Sequence, residues 1–377
     1  MPGNPAAIAL RPVARPLSEG ERARRTRSTA FGTALTEHMV SIEWNTSDGW
    51  HDAMLVPYEQ LRLDPATVGL HYGQIVFEGL KAYRLPDGSV AVFRPDAHAG
   101  RLRSSARRLM MPELPEELFL SAVDALVAHD HEWLPSDHSL SLYLRPLLFA
   151  SERTLALRPA REYRFLLMAF VTEGYFGSAR RPVRVWVTDE YSRVAPGGIG
   201  AAKYAGNYAA SLRAQEEAER NQCDQVVWLD PVRRRCVEEL GGMNLFFVYG
   251  TGAGARLVTP PLSGNLLPGI TRDSLLRLAP ALGLCAEEAR LDIRDWRAGC
   301  ESGQLTEVFA CGTAAGVTPV CEVRGAHGSW TVGGGETAGP VTGALRDALL
   351  GVQRGGAPDD FSWRHEVVAA RDVAASD

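Results

Sequence analysis

The chain has 377 residues, of which 45% are hydrophobic, and its formal net charge is −5. This length predicts one large or two medium domains, with enough apolar residues for a packed core. The negative charge argues against nucleic acid or an anionic membrane as a partner. No apolar run reaches the roughly 20 residues that cross a bilayer.

The N-terminal residues 1–30 are rich in arginine, proline and alanine and lack the apolar core of a signal peptide. We expect them to form a flexible tail. The six cysteines include no Cys-x-x-Cys pair, so we expect reduced thiols and a cytoplasmic location. The histidines form no His-x-x-x-His or Cys/His cluster, so we expect no metal site.

Hydrophobic periodicity and turn residues predict the elements of the first half. Strands are expected at 39–44, 90–94, 140–145 and 165–171, and helices at 98–110 and 115–132. Residues 31–172 are therefore expected to form a small α/β domain. The polar, glycine-containing stretch 173–182 is expected to be a linker.

The second half, residues 183–377, is expected to be a larger α/β domain. Its strands are predicted at 183–188, 226–229, 235–239, 245–249 and 308–311, and its helices at 209–221 and 268–282. Residues 230–234 read as a hairpin turn. Gly250-x-Gly252-x-Gly254 reads as a turn between strands, because it lacks the strand–turn–helix context of a dinucleotide-binding fingerprint.

Lysine is rare in this chain, since only Lys81 and Lys203 are lysines among the 40 lysine and arginine residues. Lys203 lies in the glycine-rich stretch GGIGAAKYAGNY, residues 197–208, just before a predicted helix. Arginine stays protonated in proteins, whereas lysine can become a nucleophilic amine. A lysine in such a loop suggests a covalent site for pyridoxal phosphate, which also needs a phosphate cradle and a carboxylate beside its pyridine nitrogen.

The sequence offers candidates for the phosphate cradle. Residues 267–271 open a predicted helix, where backbone N–H groups and the helix dipole favour an anion. Thr271 can add a hydroxyl donor, and Thr313 follows a strand in a Gly-Thr loop. Arg101 begins an arginine-rich run and could pair with a phosphate. By pattern alone, each is also compatible with an ordinary cap, loop or solvated helix face.

Glu239 is the carboxylate candidate, because it ends an apolar strand just before a Gly-Gly turn. Because successive strand residues alternate, the side chain of Glu238 would lie on the opposite face of the strand. The spacing alone is equally compatible with Glu239 as a surface carboxylate. Tyr208 follows Lys203 closely and could reach the phenolic oxygen of the cofactor or simply pack.

Together these motifs resemble those of the branched-chain amino acid aminotransferases, which are fold-type IV pyridoxal phosphate enzymes. The resemblance runs from about residue 31 to about residue 363. Besides GGIGAAKYAGNY, the segments that carry it are 31–32, 36–39, 49–53, 70–74, 77–81, 143–146, 239–244, 267–272 and 312–315.

The resemblance implies a mixed α/β (α+β) fold of type IV, with two α/β domains and the active site between them, in a homodimer. The larger domain would bind pyridoxal phosphate. The implied reaction transfers the amino group of leucine, isoleucine or valine to 2-oxoglutarate, giving the branched-chain 2-oxo acid and L-glutamate.

The resemblance also implies residue roles. Lys203 would bond covalently to the cofactor and move the reacting proton, Glu239 would pair with the pyridine nitrogen, and Tyr208 would bind the phenolic oxygen. The phosphate would be held by Arg101, Ile270, Thr271 and Thr313. The substrate side would comprise Phe31, Tyr72, Phe77, Tyr143, Arg145, Gly242, Ala314 and Ala315.

Within that substrate side, the aromatic residues would form apolar walls. Tyr72 and the backbone near Ala314 would help to fix the substrate carboxylate. Arg145 would meet the distal carboxylate of glutamate. Lys81 also matches a family position, and we interpret it as structural.

Three departures from the family pattern stand out. Ala315 and Thr318 occupy positions where some members carry Cys-x-x-Cys, so no redox switch of that type is expected. Gly242 stands where some members carry threonine. The linker sequence at 172–178 also differs, which motivates an alternative: the same chemistry on an unusual aliphatic amino acid in a specialised pathway.

Other functions fit less well. Segments 49–53 and 79–83 fit D-amino acid aminotransferases and aminodeoxychorismate lyases poorly. A non-catalytic binding protein is disfavoured because both Lys203 and Glu239 are present. A nicotinamide oxidoreductase is disfavoured by the missing fingerprint.

Overall fold

Two units make up the chain, and neither is continuous in sequence. The computed structural model describes residues 7–27, 30–135, 140–173, 181–335 and 337–370. The first unit comprises the described residues among 1–177, 202–205 and 352–377, and the second those among 178–201 and 206–351. Each unit is built on its own β-sheet.

The first unit contains a largely antiparallel sheet. Its strands are β1 (Ala9–Leu10), β2 (Leu35–Asn45), β3 (Gly49–Pro57), β4 (Ile75–Phe77), β5 (Leu80–Arg84), β6 (Val90–Phe93), β7 (Ser141–Ala150), β8 (Glu162–Thr172) and β18 (Arg364–Val368). They follow the order β1-β3-β2-β8-β7-β5-β6-β18, with β4 beside β7. The helices are α1 (Glu19–Thr26), α2 (Val68–Tyr72), α3 (Pro95–Arg108) and α4 (Glu116–Asp130).

One face of this sheet belongs to the core of the first unit, which also takes in α3 and α4. In α4, Leu118, Ala122 and Leu126 recur every four residues and are buried in that core. Burial of a leucine side chain contributes about 1.5–3 kcal/mol. Lys81 and Tyr143 pair in register, and both chain neighbours of each belong to the core cluster. Because strand residues alternate, these two side chains lie on the opposite face.

The second unit contains a mixed sheet. Its strands are β9 (Val183–Val187), β10 (Gln225–Leu229), β11 (Val237–Leu240), β12 (Asn244–Tyr249), β13 (Arg256–Thr259), β14 (Cys285–Glu288), β15 (Leu305–Gly312), β16 (Gly316–Gly325) and β17 (Gly328–Thr331). They follow the order β11-β10-β9-β16-β15-β12-β13-β14, with β17 beside β16. β9 runs parallel to both β10 and β16.

Helices of the second half are α5 (Ala205–Ala209), α6 (Leu212–Arg220), α7 (Ile270–Leu278), α8 (Ile293–Ser302) and α9 (Pro340–Gln353). In the core of the second unit, the rings of Phe246 and Phe309 stack with centroids 5.1 Å apart. The Phe247 ring meets Trp296 edge-on at 5.0 Å.

The predicted strands and helices overlap observed ones. The predicted turn at 230–234 joins the antiparallel strands β10 and β11. The predicted helix at 268–282 is α7 followed by a 3-10 turn, Ala279–Leu282. This turn has Pro280 near its start, where a proline cannot continue α-helical hydrogen bonding.

Residues 7–27, which we expected to belong to a flexible tail, are folded in the structure. β1 pairs with β3, and the Glu21 carboxylate accepts the Ser18 backbone N–H at 2.9 Å at the start of α1. The Leu17 N–H donates to Glu37 at 2.7 Å. The tail expectation is therefore corrected for this part, because backbone and side-chain hydrogen bonds fix it. The rest of that segment, residues 1–6, 28 and 29, lies outside the described residues.

The division into units also differs from the predicted domain limits. Residues 202–205 and 352–370 group with the first unit although they follow its main segment by many residues. Most of the predicted linker, residues 174–180, lies outside the described residues. Among the helices that are described, none has both the length and the apolar character needed to cross a membrane.

Candidate active site

The main chain of Lys203 is fixed on both sides within the first unit. Its N–H donates to the Ser105 hydroxyl oxygen on α3 at 3.0 Å. Its carbonyl oxygen accepts the Phe77 N–H of β4 at 3.0 Å. The Lys203 Nζ atom lies 4.9 Å from the centroid of the Phe77 ring. The lysine therefore has a defined position beside an aromatic ring.

Rings packed around Tyr143 form an aromatic group on the sheet face opposite the core. The Phe31 ring meets Tyr143 and Phe170 edge-on, each at 4.9 Å between centroids. Tyr143 and Phe170 stack, also at 4.9 Å, because they are paired in register across β7 and β8. An added Cβ on Gly79 would lie 1.8 Å from the Tyr143 hydroxyl oxygen, so only glycine fits there.

Arg145 adds a positive charge to the aromatic group. Its guanidinium carbon lies 5.0 Å from the Phe77 ring centroid and 5.5 Å from that of Tyr143. Its Nε atom is buried and has no hydrogen-bond partner among the residues that the structure describes. A buried donor without a partner is costly. The group thus combines apolar walls with a cation that can bind a carboxylate.

Arg101 is held by a buried carboxylate on the same unit. Its Nε and Nη2 atoms donate to the two oxygens of Glu78 at 2.6 and 2.8 Å, and His98 Nδ1 lies 2.7 Å from Glu78 Oε2. Burial alone would raise the pKa of the Glu78 carboxyl, but Arg101 and His98 hold that pKa well below its usual range. Burial lowers the pKa of His98, which favours its neutral form.

Tyr72 occupies a different environment from the other predicted aromatic residues. Its side chain is 47% exposed, and its hydroxyl donates to the Leu155 carbonyl oxygen at 3.0 Å.

Lys81, by contrast, is 8% exposed. Burial, with a smaller effect of the Arg354 charge, lowers the pKa of Lys81 to about 8.

In the second unit, Glu239 lies on β11 with only 2% of its surface exposed. Its carboxylate accepts the Leu267 backbone N–H and lies 3.3 Å from Arg193 Nη2. Glu238 takes a different partner, accepting from Asn265 Nδ2 at 2.9 Å, and burial raises its pKa. Glu239 is therefore a buried carboxylate, which decides between the two positions that its spacing allowed.

Asn244 joins this region to the start of α7. It is the first residue of β12, and its side-chain amide donates to the Leu267 carbonyl oxygen at 3.1 Å. Gly269 is the N-cap of α7, and a glycine has no side chain with which to cap the helix. An added Cβ on Gly269 would lie 1.9 Å from Asn244 Oδ1. The main chain before Ile270 and Thr271 is thus packed closely against Asn244.

The remaining predicted residues belong to two turns and a short helix of the second unit. An added Cβ on Gly242 would lie 3.1 Å from Cε1 of Tyr208, which lies on α5. Thr313, Ala314 and Ala315 form the turn that joins β15 to β16. The Ala315 carbonyl oxygen accepts the Thr318 hydroxyl at 3.0 Å. Neither Ala315 nor Thr318 carries a thiol, which excludes a Cys-x-x-Cys pair at these positions.

The structure brings the predicted residues together in two sets. The set of the first unit is Lys203, Phe31, Phe77, Tyr143 and Arg145, with Arg101 on α3 beside them through Glu78. The set of the second unit is Glu239, Tyr208, Gly242, Ile270 and Thr271. Thr313, Ala314 and Ala315 lie in the β15–β16 turn of the same unit. Tyr72 stands apart from the ring group of the first set.

Sequence reasoning missed several residues of these sets. Phe170 could have been found from the register of β7 and β8, since it faces Tyr143. Asn244 lay within a quoted motif without an assigned role. Glu78, His98 and Ser105 became visible only through hydrogen bonds between elements distant in sequence. Within the described part of the chain, no group of three or more His, Cys, Asp or Glu side chains could hold a metal ion.

Comparisons with known proteins identify the family of this chain. A family model described as Amino-transferase class IV matches residues 75–323. The branched-chain-amino-acid aminotransferase of Mycolicibacterium smegmatis is 53% identical over 349 residues, which cover 92% of this chain and 95% of that protein.

Two solved structures are also similar. The branched-chain amino acid aminotransferase of Escherichia coli has a TM-score of 0.73 and 30% identity, covering 88% of this chain and 99% of that one. A T.th. branched-chain amino acid aminotransferase complexed with N-(5'-phosphopyridoxyl)-L-glutamate has a TM-score of 0.68 and 31% identity, covering 87% and 99%. The chain therefore belongs to the branched-chain aminotransferases of the class IV aminotransferase family, with the type IV fold.

Proposed function

We propose that this enzyme uses pyridoxal 5'-phosphate to transfer the amino group of leucine, isoleucine or valine to 2-oxoglutarate. The products are the branched-chain 2-oxo acid and L-glutamate. The observation that carries the proposal is the ring group of Phe31, Tyr143 and Phe170 with Arg145 beside it. One surface there offers both apolar walls and a cation with a buried, unpartnered Nε among the described residues.

That surface suits two unlike side chains. Apolar walls favour the aliphatic side chain, at roughly 0.8 kcal/mol for each buried methylene group. Arg145 suits the distal carboxylate of glutamate or 2-oxoglutarate through a charge-assisted hydrogen bond. Binding both substrates in turn at one site is what a ping-pong transamination requires.

The residues present fit pyridoxal phosphate. The N-terminus of α7, where Gly269 packs closely against Asn244, suits a phosphate because a helix N-terminus favours an anion. Glu239 is a buried carboxylate that suits a protonated pyridine nitrogen. The similar T.th. enzyme was solved with a phosphopyridoxyl group joined to L-glutamate, which supports both the cofactor and the co-substrate.

Each residue then has a proposed task. When bound, the cofactor supplies an electron sink for the bonds at the substrate Cα. Lys203 would hold the cofactor and would move the proton at the substrate Cα. Glu239 keeps the pyridine nitrogen protonated, and Tyr208 binds the phenolic oxygen. Arg101, Ile270, Thr271 and Thr313 hold the phosphate.

The substrate side has proposed tasks as well. Phe31, Phe77 and Tyr143 line the side-chain pocket, and Gly242, Ala314 and Ala315 are proposed as further residues of the substrate side. Tyr72 is proposed to help fix the substrate carboxylate, although its hydroxyl bonds to Leu155 in this structure.

We also propose a homodimer in the cytoplasm. Exposed apolar side chains of the first unit include Leu70, Leu155 and Leu157, and Tyr72 bonds to Leu155 among them. Such a group suits contact with a second copy of the chain. The six cysteines are free thiols, which is typical of proteins in a reducing compartment.

Steady-state kinetics with leucine and 2-oxoglutarate would test the function. The wild type should form glutamate, and Arg145→Gln should lower kcat/KM for 2-oxoglutarate by about 10- to 100-fold, because a charge-assisted hydrogen bond contributes about 1.5–3 kcal/mol. The half-reaction of leucine, which has no distal carboxylate, should change by less than about threefold. Equal losses for both substrates would contradict the assigned role of Arg145. No glutamate from leucine, isoleucine or valine would refute the proposed substrates.

A further inference from the structure

Glu78 is a fully buried carboxylate that makes several hydrogen bonds. Its side chain has 0% exposure, and its two oxygens accept from Arg101 at 2.6 and 2.8 Å. Oε2 also lies 2.7 Å from His98 Nδ1 and accepts the Gly79 N–H at 3.2 Å. Glu78 follows directly after β4, so it connects that strand to α3.

Helix α3 carries three of the residues involved on one side. His98, Arg101 and Ser105 are spaced by three and four residues, which places them along one helical face. Ser105 accepts the N–H of Lys203, and Phe77, next to Glu78, donates to the carbonyl oxygen of Lys203. The same strand and helix therefore fix both Lys203 and Arg101.

We propose that Glu78 is a positioning residue, which orients the Arg101 guanidinium toward the phosphate of the cofactor. This inference rests on the proposed function, in which Arg101 binds that phosphate. The side-on, two-bond contact with Glu78 fixes the plane of the guanidinium, because arginine presents its donors in a rigid fork.

The negative charge of Glu78 indicates that it contributes by orienting Arg101. A buried arginine without a counter-ion is costly, and the carboxylate offsets that cost. His98 adds a hydrogen bond to Glu78 Oε2, and burial lowers its pKa, which disfavours a second positive charge beside Arg101. Glu78 thus lowers the net charge that Arg101 presents to an anion, so it can favour phosphate binding only by fixing geometry.

The alternative is that Glu78 merely pins β4 to α3. The two roles differ in what they do to ligand selectivity. If Glu78 only joins β4 to α3, its loss should affect folding and the affinity for every ligand alike. If Glu78 positions Arg101, its loss should weaken binding of a phosphorylated ligand and leave binding of a ligand without phosphate unchanged. Pyridoxal, which lacks the phosphate group, is therefore the discriminating probe.

The experiment measures dissociation constants of the full-length apoenzyme for pyridoxal phosphate and for pyridoxal. Glu78→Gln keeps the shape but removes the charge, and it should weaken pyridoxal phosphate binding by about tenfold or more while changing pyridoxal binding by less than about twofold. Glu113→Gln is the matched control, because Glu113 also makes a two-bond contact with an arginine of α3, Arg107, at 2.7 Å for each bond. It should change neither constant.

A double-mutant cycle with Arg101→Gln completes the test. If Glu78 acts through Arg101, Glu78→Gln should add less than about twofold to the loss already caused by Arg101→Gln. Equal weakening of both ligands, or an unchanged constant for pyridoxal phosphate, would overturn the proposal. Wild-type protein that binds neither ligand would instead refute the proposed function.

A second variant keeps the test valid if Glu78→Gln does not fold. His98→Ala removes one hydrogen bond from Glu78 Oε2 and leaves the Arg101 contacts available. It should weaken pyridoxal phosphate binding severalfold and spare pyridoxal. An affinity for pyridoxal phosphate equal to that of the wild type would count against the positioning role.

Discussion

Two lysines in one chain illustrate how position determines chemistry. Lys203 lies beside the Phe77 ring with its main chain fixed from two sides. Lys81 is buried on β5 in register with Tyr143. Burial, with a smaller effect of the Arg354 charge, lowers the pKa of the Lys81 ammonium. We interpreted Lys81 as structural, and its lowered pKa permits a direct test of what its charge costs.

Replacing Lys81 with methionine should stabilise the protein at neutral pH. The folded-state pKa of Lys81 is about 8 rather than 10.5, so the unfolded state holds its proton more tightly. The charge therefore disfavours folding by an amount on the order of 3 kcal/mol at pH 7. Because unfolded chains hold more protons, this cost fades as pH rises from about 8 toward 10.5.

Urea unfolding of wild type and Lys81→Met at several pH values would measure this. The stability advantage of the variant should shrink across that pH window. An advantage that does not depend on pH, or a variant less stable than wild type at pH 7, would show that the ammonium is satisfied in solution.

The sequence indicated a role only for residues whose type and neighbours in the chain are restrictive. Lys203 and Glu239 could be identified because their types and neighbours are restrictive. Glu78 and Asn244 could not be assigned roles, because their partners lie on other elements. For Tyr72 the motif predicts a residue that lines the pocket, but in the structure its hydroxyl bonds to Leu155.

At the scale of elements, the start of α7 is the most demanding local structure. The loop before it is held by Asn244 and Glu239 through the backbone of Leu267. A side chain at Gly269 would force a shift of the surrounding structure, because an added Cβ would lie 1.9 Å from Asn244 Oδ1. The geometry of the proposed phosphate cradle therefore depends on one glycine.

Gly269→Ala should displace this loop and weaken pyridoxal phosphate binding by about tenfold or more, as loss of a charge-assisted contact would. Gly343→Ala is the matched control, because it lies in α9 and its added Cβ would approach only Arg346 Nη2, at 4.0 Å. The control should keep its affinity and gain up to about 1 kcal/mol of stability, as alanine does over glycine in a helix. Cofactor titration of both apoenzymes measures the effect. Equal affinities would show that the α7 start does not contact the phosphate.

Elements with strong periodicity were predictable, and others were not. The alternation of β7 and the four-residue spacing of α4 gave correct types. Short edge strands such as β14 and β17 were not predicted, because they are polar and exposed and are defined by pairing with a neighbour. Helix α1 was missed because its residues include no buried apolar stripe.

At the scale of the whole molecule, the discontinuity of the two units in sequence could not be anticipated. A boundary near residue 175 was expected, but residues 202–205 and 352–370 group with the first unit. Tertiary contacts decide such assignments, and a single sequence does not display them. The first unit also exposes an apolar group that its own fold leaves uncovered.

The proposed dimer predicts a role for that group. Leu157 is 84% exposed, and Leu157→Glu should shift the protein toward monomer by introducing a charge into the proposed contact. Val232→Glu is the control, because Val232 is also an exposed apolar residue but lies in the second unit's β10–β11 turn. Sedimentation velocity of both variants would decide. A dimer that survives Leu157→Glu would place any contact elsewhere, and a monomeric wild type would refute the dimer.

The measurement that tests the central claim most directly is a visible spectrum of the protein loaded with pyridoxal phosphate, titrated separately with L-leucine and L-glutamate. Lys203→Arg, which keeps the charge but cannot bond to the cofactor's aldehyde, is the control. We predict that both amino acids convert the wild-type absorption band and that the variant has no such band. Conversion by glutamate alone would contradict the branched-chain substrates. A band that survives Lys203→Arg would contradict the assignment of Lys203.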